Sequence, residues 1–208
     1  MRKLLLIGGG GHCHSVIDSV IALGLFNDIG IVDSNVNSCL GVPVIGDDHD
    51  IPELRKTGWN EAFITVGSIG NTSIRRKLYD MVKYYNFIVP IIIDPTAIIA
   101  KGVGIQEGSF IGKKTVINTG TSVGVCSIIN TGSLIEHDCL VGDFVHVSSG
   151  STICGQVRIG NNTHVGAGSV IRQGIEIGEK VLIGVGSVVV KDVPDNVKAY
   201  GNPCRVVQ

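Results

Sequence analysis

Ile or Val occupies every sixth position from Ile93 to Val189, through Ile99, Ile105, Ile111, Ile117, Val123, Ile129, Ile135, Val141, Val147, Ile153, Ile159, Val165, Ile171, Ile177 and Ile183. None of these seventeen positions departs from the rule. If about one residue in five is Ile or Val, chance gives such a run about once in 10¹², and a repeat of fixed period sets the architecture before any motif is read. A period of six fits neither a helix nor a strand as a simple amphipathic pattern. It does fit a coil of three short flat strands joined by tight corners. Each strand with its corner takes six residues, and one coil takes eighteen. The sixth-position aliphatic then points inward and stacks on its equivalents in coils about 4.8 Å away.

The other columns agree. Two places before the inward aliphatic stand small or β-branched residues, among them Ser109, Thr115, Thr121, Ser127, Ser133, Ser151, Thr163, Ser169 and Ser187. They suit a cramped second inward site. Gly recurs in a corner column at Gly102, Gly108, Gly120, Gly132, Gly150, Gly168, Gly174 and Gly186, where a tight corner demands positive φ. The pattern resembles the hexapeptide-repeat acyltransferases. That resemblance implies a left-handed parallel β-helix, against the usual right-handed crossover of parallel strands.

Before Ile93 the rule fails and the chain reads as α/β. Leu4–Ile7, Ile29–Val32, Ala62–Val66 and Phe87–Ile91 read as strands. His12–Leu23, Ile51–Lys56 and Asn71–Tyr85 read as helices. The expected fold is therefore a small Rossmann-like parallel α/β domain over residues 1–92, followed by a β-helix with a C-terminal cap over 93–208. Formal net charge is -1 with scattered Lys and Arg, which argues against nucleic-acid binding. The six cysteines include no CxxC, as in a chain with reduced thiols. The first residues, MRKLLLIGGGG, hold too short an apolar run for a signal peptide or membrane span. A cytoplasmic protein that engages no membrane is expected.

Gly8-Gly9-Gly10-Gly11-His12-Cys13 joins the first strand to the first helix. Such a loop lets backbone amides and a helix N-terminus approach a phosphate. It also serves as a plain tight turn. A dinucleotide fingerprint would place Gly where Cys13 stands, which weakens an NAD reading. Asp33 ends the second strand, where an acidic residue often meets a ribose or base. With the β-helix behind it, this loop resembles the NeuD/PglD-like sugar O/N-acetyltransferases over nearly the whole chain. The resemblance implies that the first domain holds the nucleotide or sugar of the acceptor. It points to Gly10, Gly11, His12, Asp33, Ser34 and Gly67.

Acetyl transfer from a thioester needs a base, a stabilised oxyanion and held reactants. The β-helix offers His137, His146 and His164 as bases. His137 stands in Ile-Glu-His-Asp-Cys, outward or at a corner, between two acidic residues. A carboxylate on its second ring nitrogen would orient it; a surface histidine in a polar turn has the same local sequence. The family carries its base in this segment. The resemblance thus implies His137 as base and Asp138 as partner, with Glu136 the weaker alternative.

It further implies contact of His146 with acetyl-CoA, the co-substrate, and a pantetheine path along Ala167 and Val185. Gly155 follows His137 by eighteen residues, so it shares that column one coil on. Its N–H could face the thioester oxygen, and it could equally be an ordinary corner glycine. Arg158, Arg172 and Lys191 are candidates for the CoA phosphates. His164 stacks one coil beyond His146, either as part of a ligand strip or as a solvated column. Cys139 falls in an inward column, so no acyl-enzyme is expected.

Relatives assemble as trimers with the co-substrate between prisms, which implies a homotrimer here. The function so implied is N-acetylation of a nucleotide-activated amino sugar, a UDP-4-amino-4,6-dideoxy sugar by expectation. O-acetylation of sialic acid or another glycan sugar is the alternative. A γ-type carbonic anhydrase needs three zinc histidines, two of them close in sequence, and the nearest β-helix pair here is nine apart. No metal site is expected. An ice-binding β-helix would need long Thr ladders and no α/β domain.

Overall fold

The computed structural model describes residues 2–207. The chain divides into two compact units. The first runs to Gly67 and resumes over Ser73–Pro95; the second comprises Ser68–Thr72 and the chain from Thr96 onward.

The first unit is a five-stranded sheet with three helices. Its elements are β1 (Lys3–Ile7), α1 (Gly11–Leu23), β2 (Asp28–Val32), β3 (Ser38–Cys39), β4 (Val42–Gly46), α2 (Ile51–Lys56), β5 (Glu61–Ile64), α3 (Ser73–Tyr84) and β6 (Ile92–Ile93). The sheet order is β3-β4-β2-β1-β5. β4, β2, β1 and β5 run parallel, and β3 runs antiparallel to β4. β1 is central, and Leu4, Leu5 and Leu6 are fully buried, as expected of a strand covered on both faces. α1 buries Cys13, Val16, Ile17 and Val20 and is fixed at depth by Ser19 Oγ, which donates to Asp94 Oδ2 at 2.6 Å.

The sheet differs from the sequence expectation in two places. The β3–β4 hairpin is an addition, because Pro43 demotes a short apolar run; here Pro43 pairs with Ser38 at the sheet edge. Phe87–Ile91 forms a single bridge from Ile88 to Glu61 rather than a strand. Pro90 lacks the N–H needed to extend the ladder.

In the second unit the six-residue rule becomes geometry. Each series residue closes a two-residue strand. Strands eighteen residues apart pair in parallel and build three faces. The first face carries Ile98–Ile99, Val116–Ile117, Leu134–Ile135, Thr152–Ile153, Val170–Ile171 and Val188–Val189. The second carries Gly104–Ile105, Ser122–Val123, Leu140–Val141, Arg158–Ile159 and Glu176–Ile177. The third carries Phe110–Ile111, Ile128–Ile129, His146–Val147, His164–Val165 and Leu182–Ile183. It is extended by Lys198–Gly201 and the antiparallel strand Cys204–Val206, which occupy the open end of the coil.

From Ile111 onward the series residues are buried. The small inward residues are buried too, and their hydroxyls are used. Ser127 Oγ donates to the Gly142 carbonyl at 2.8 Å and accepts from Val145 N at 3.0 Å. Ser109, Ser151, Thr163 and Ser169 make the same bond to the carbonyl fifteen residues on. The cramped inward site is thus a satisfied polar ladder inside an aliphatic core.

Every sixth residue from Gly102 to Gly186 has positive φ, including non-glycine residues such as Lys114, Asp138, Gln156 and Lys180. Coil closure imposes the left-handed conformation even where a side chain resists it. The outward column of the first face is Ile98, Val116, Leu134, Thr152, Val170 and Val188, with Ile98 65% and Val170 40% exposed. Apart from Thr152 this is an apolar stripe in register along the prism. The corresponding column of the second face is Gly104, Ser122, Leu140, Arg158 and Glu176, which is mixed and more polar.

Candidate active site

The corner after Leu134–Ile135 holds Glu136, His137 and Asp138. Asp138 is the positive-φ residue, at +58°. Strain of this kind persists only where the surroundings enforce it, and it directs the carboxylate back along the chain. Asp138 Oδ2 accepts from His137 Nδ1 at 2.9 Å, with side chains 53% and 59% exposed. A carboxylate can only accept here, so Nδ1 carries the proton and Nε2 of the neutral ring carries the lone pair. Glu136 is occupied elsewhere: its Oε2 accepts from Asn118 Nδ2 at 3.0 Å.

Gly155 lies one coil on, directly against the imidazole. A β-carbon there would sit 2.6 Å from His137 Nε2 and 2.8 Å from Cε1. Cys139 turns inward, fully buried, with Sγ 3.2 Å from the Cys154 carbonyl. Burial pushes its thiol above the ordinary range.

Ala167 and Val185 are eighteen residues apart in another corner, after the third face. Ala167 is half-buried and Val185 is 79% exposed. Within one chain they therefore do not meet His137; the apolar first face separates the two corners. His146 belongs to the third face and pairs in register with His164. His164 is buried, so its column is not solvated. Sequence reasoning missed both this burial and the segment Ser68–Thr72, which covers the column. A signal was present: the outward residues of the third face are Phe110, Ile128, His146, His164 and Leu182, too apolar and aromatic for a wet surface.

Arg158 Nε stands 3.7 Å from Glu176 Oε1. Both line an open groove of about 800 Å³ on the second face, together with Asp192 and Asp195. Three carboxylates to one guanidinium make this groove poorly suited to CoA phosphates.

In the first unit, Gly10 precedes α1, which has no side-chain cap and no acidic residue in its first turn. Side chains at Gly10 or Gly11 would meet nothing within 4 Å, so the space over the loop is open. Asp33 fixes that loop. Its Oδ2 accepts from Gly9 N at 2.7 Å and its Oδ1 from Asn35 N at 2.7 Å. These bonds, the one from Gly9 first, hold its carboxyl below the usual carboxylate range. Ser34 borders a cavity of about 160 Å³ with Asp47, Asp48 and His49. Gly67 faces His12, where an added β-carbon would lie 3.6 Å from the His12 β-carbon. Cys13 points into the core, and burial pushes its thiol up to about 12. It therefore leaves the loop surface unobstructed.

Among the described residues no three His, Cys, Asp or Glu side chains form a metal-binding group. No described helix is long and apolar enough to cross a membrane.

Residues 3–82 match the family model described as the PglD N-terminal domain. Residues 138–173 and 156–191 match that of the bacterial transferase hexapeptide repeats. The chain is similar to a mutant of perosamine N-acetyltransferase from Caulobacter crescentus, solved in complex with CoA and GDP-perosamine. Identity is 34%, with 100% of this chain and 98% of that one covered and a TM-score of 0.95. It is also similar to the acetyltransferase domain of PglB from Neisseria gonorrhoeae FA1090, at 33% identity, full coverage of both chains and a TM-score of 0.92. That domain has also been solved in complex with acetyl coenzyme A. Fold and relatives together define a left-handed β-helix acetyltransferase. The chain belongs to the NeuD/PglD-like family of hexapeptide-repeat sugar acetyltransferases.

Proposed function

We propose that this chain transfers the acetyl group of acetyl-CoA to the amine of a nucleotide-linked 4-amino-4,6-dideoxy sugar, directly and within a ternary complex. One observation carries the reading: an exposed imidazole, with Nδ1 on the Asp138 carboxylate, presents Nε2 beside Gly155. His137 Nε2 takes the proton as the neutral amine attacks the thioester carbon. Asp138 steadies the imidazolium that forms. Gly155 N–H donates to the developing oxyanion. Collapse expels CoA as its thiolate, which recovers a proton, and the amide is released. Cys139, buried with a raised thiol, takes no part.

The acceptor's diphosphate is assigned to the amides of Gly10, Gly11 and His12 at the start of α1. Its nucleoside is assigned to Asp33 and Ser34, and Gly67 lies toward the sugar. The Caulobacter relative was solved with a GDP-linked amino sugar and CoA. The uridine carrier expected from the family resemblance therefore has a direct competitor in guanosine. His146, Gly155, Ala167 and Val185 are assigned to acetyl-CoA.

Those four residues fall on the third face and on two different corners of one prism, which supports a site shared between subunits. The apolar outward stripe of the first face supports a homotrimer that buries it. A cytoplasmic location belongs to the same reading, since both substrates are cytoplasmic metabolites.

The test is an acceptor screen with acetyl-CoA and purified protein. Turnover of a UDP- or GDP-linked 4-amino-4,6-dideoxy sugar is expected. Acetylation of sialic acid, with none of any nucleotide-linked amino sugar, would overturn the reading.

A further inference from the structure

The third face of the β-helix carries an outward column that is covered rather than wet. Phe110, Ile128, His146, His164 and Leu182 follow one another in register. Ser68–Thr72 belongs to the same compact unit and lies on this column. His146 Nδ1 is 2.9 Å from the Ser68 carbonyl, and Thr72 Oγ1 donates to Asn162 Oδ1 at 2.7 Å. A β-carbon on Gly70 would fall 2.8 Å from Leu182 Cδ1, and Gly70 has φ of +72°. A glycine is what allows so close a pass.

His164 is an unusual rung in this column. It is 7% exposed. Its ring nitrogens are weakly served: Nε2 lies 3.4 Å from Ser148 Oγ, and the Ser68 backbone approaches the ring. Such burial is costly for an imidazole, and an aliphatic rung like Ile128 would avoid the cost. What His164 does supply is an aromatic contact. Its ring meets that of His146 with centroids 4.9 Å apart and planes at 87°, the edge-to-face geometry that aromatic pairs favour.

We propose that His164 is a positioning residue for His146: its ring holds the His146 imidazole in one orientation, with Nδ1–H on the Ser68 carbonyl. The proposal rests on the acetyl-CoA role assigned to His146 above. A carbonyl only accepts, so the Ser68 bond fixes which His146 nitrogen bears the proton. Burial keeps His164 below the ordinary imidazole range. The pair therefore stays free of like-charge repulsion near neutral pH.

The test compares native protein with His164→Ala and His164→Phe. CoA binding is measured by calorimetry, together with the KM for acetyl-CoA, the KM for the acceptor, and kcat. His164→Ala is expected to weaken CoA binding and raise the acetyl-CoA KM by about ten-fold, a modest misplacement cost. The acceptor KM should be unchanged. His164→Phe keeps the aromatic edge and should restore native values. Native CoA affinity in His164→Ala would overturn the proposal. So would a His164→Phe variant that melts like native yet binds CoA as weakly as His164→Ala. An equal rise of both KM values in His164→Ala would reduce His164 to general packing and also overturn it. A native protein that binds no CoA would instead bring down the acetyl-CoA reading itself, and this proposal with it.

Discussion

The imidazole of His137 rests on the α-carbon of Gly155, one coil further along, so closely that a β-carbon would lie 2.6 Å from Nε2. Gly155 does not have positive φ, so its backbone tolerates alanine. Glycine is needed at this position because of the ring. In Gly155→Ala the half-exposed His137 must swing away, and kcat should fall about 100-fold. The fold should survive, with the melting temperature shifted by less than about 4 °C. Steady-state kinetics beside a thermal melt check both parts. Native kcat would show that the ring does not work from this pose.

Asp33 links the Gly9 loop, the proposed acceptor site, to pH. Its folded-state carboxyl lies below its ordinary value, so it contributes stability above its unfolded pKa of about 4. That contribution is lost as pH falls through the depressed folded value. Asp33→Asn should therefore melt below native at pH 7, and the gap should close in acid. It should also raise the acceptor KM, because the amides of the Gly9 loop lose their anchor. A pH series of melting curves checks the first claim. A gap that stays constant into acid would contradict it.

Cys139 is the thiol nearest His137 in sequence, yet it is fully buried, and burial raises it above the usual thiol range. Direct transfer requires no thiol. Cys139→Ala should keep kcat within about two-fold of native. Mass spectrometry of the native protein with acetyl-CoA alone should find no acetylated cysteine. An acetyl group on Cys139 that turns over when acceptor is added would contradict direct transfer.

The first-face stripe makes a separate prediction. Val170 is 40% exposed in the single chain, within a column that is apolar except for Thr152. A charge there would be buried unpaired in a trimer, at a cost of several kcal/mol. Val170→Asp should therefore dissociate the assembly, as read by light scattering, and activity should fall with it if the site is shared. A trimer that persists in the Val170→Asp variant would place the interface elsewhere.

The β-helix is legible because its period is long and unbroken. Ile93 to Val189 set the phase, and the phase alone puts Cys139 inward and Gly155 over His137. Local strain is not legible. The glycine corner column suggests positive φ, but nothing in Asp138, Lys114 or Gln156 announces that coil closure forces them into the same conformation. The α/β half rests on shorter signals and reads less accurately. Asn71 and Thr72 resemble a helix start, whereas α3 begins at Ser73 and Thr72 bonds to Asn162. Such a contact spans ninety residues and leaves no trace in the local sequence. The sequence leaves His164 undecided for the same reason, since its cover comes from Ser68–Thr72, far away along the chain.

The central claim is that His137 is the base. Its most direct test is kcat for His137→Ala with acetyl-CoA and a nucleotide-linked 4-amino-4,6-dideoxy sugar, measured alongside the oligomeric state. Loss of a positioned base should lower kcat by about 10²–10⁴-fold, with assembly and CoA affinity retained. Turnover within a few-fold of native would contradict the account.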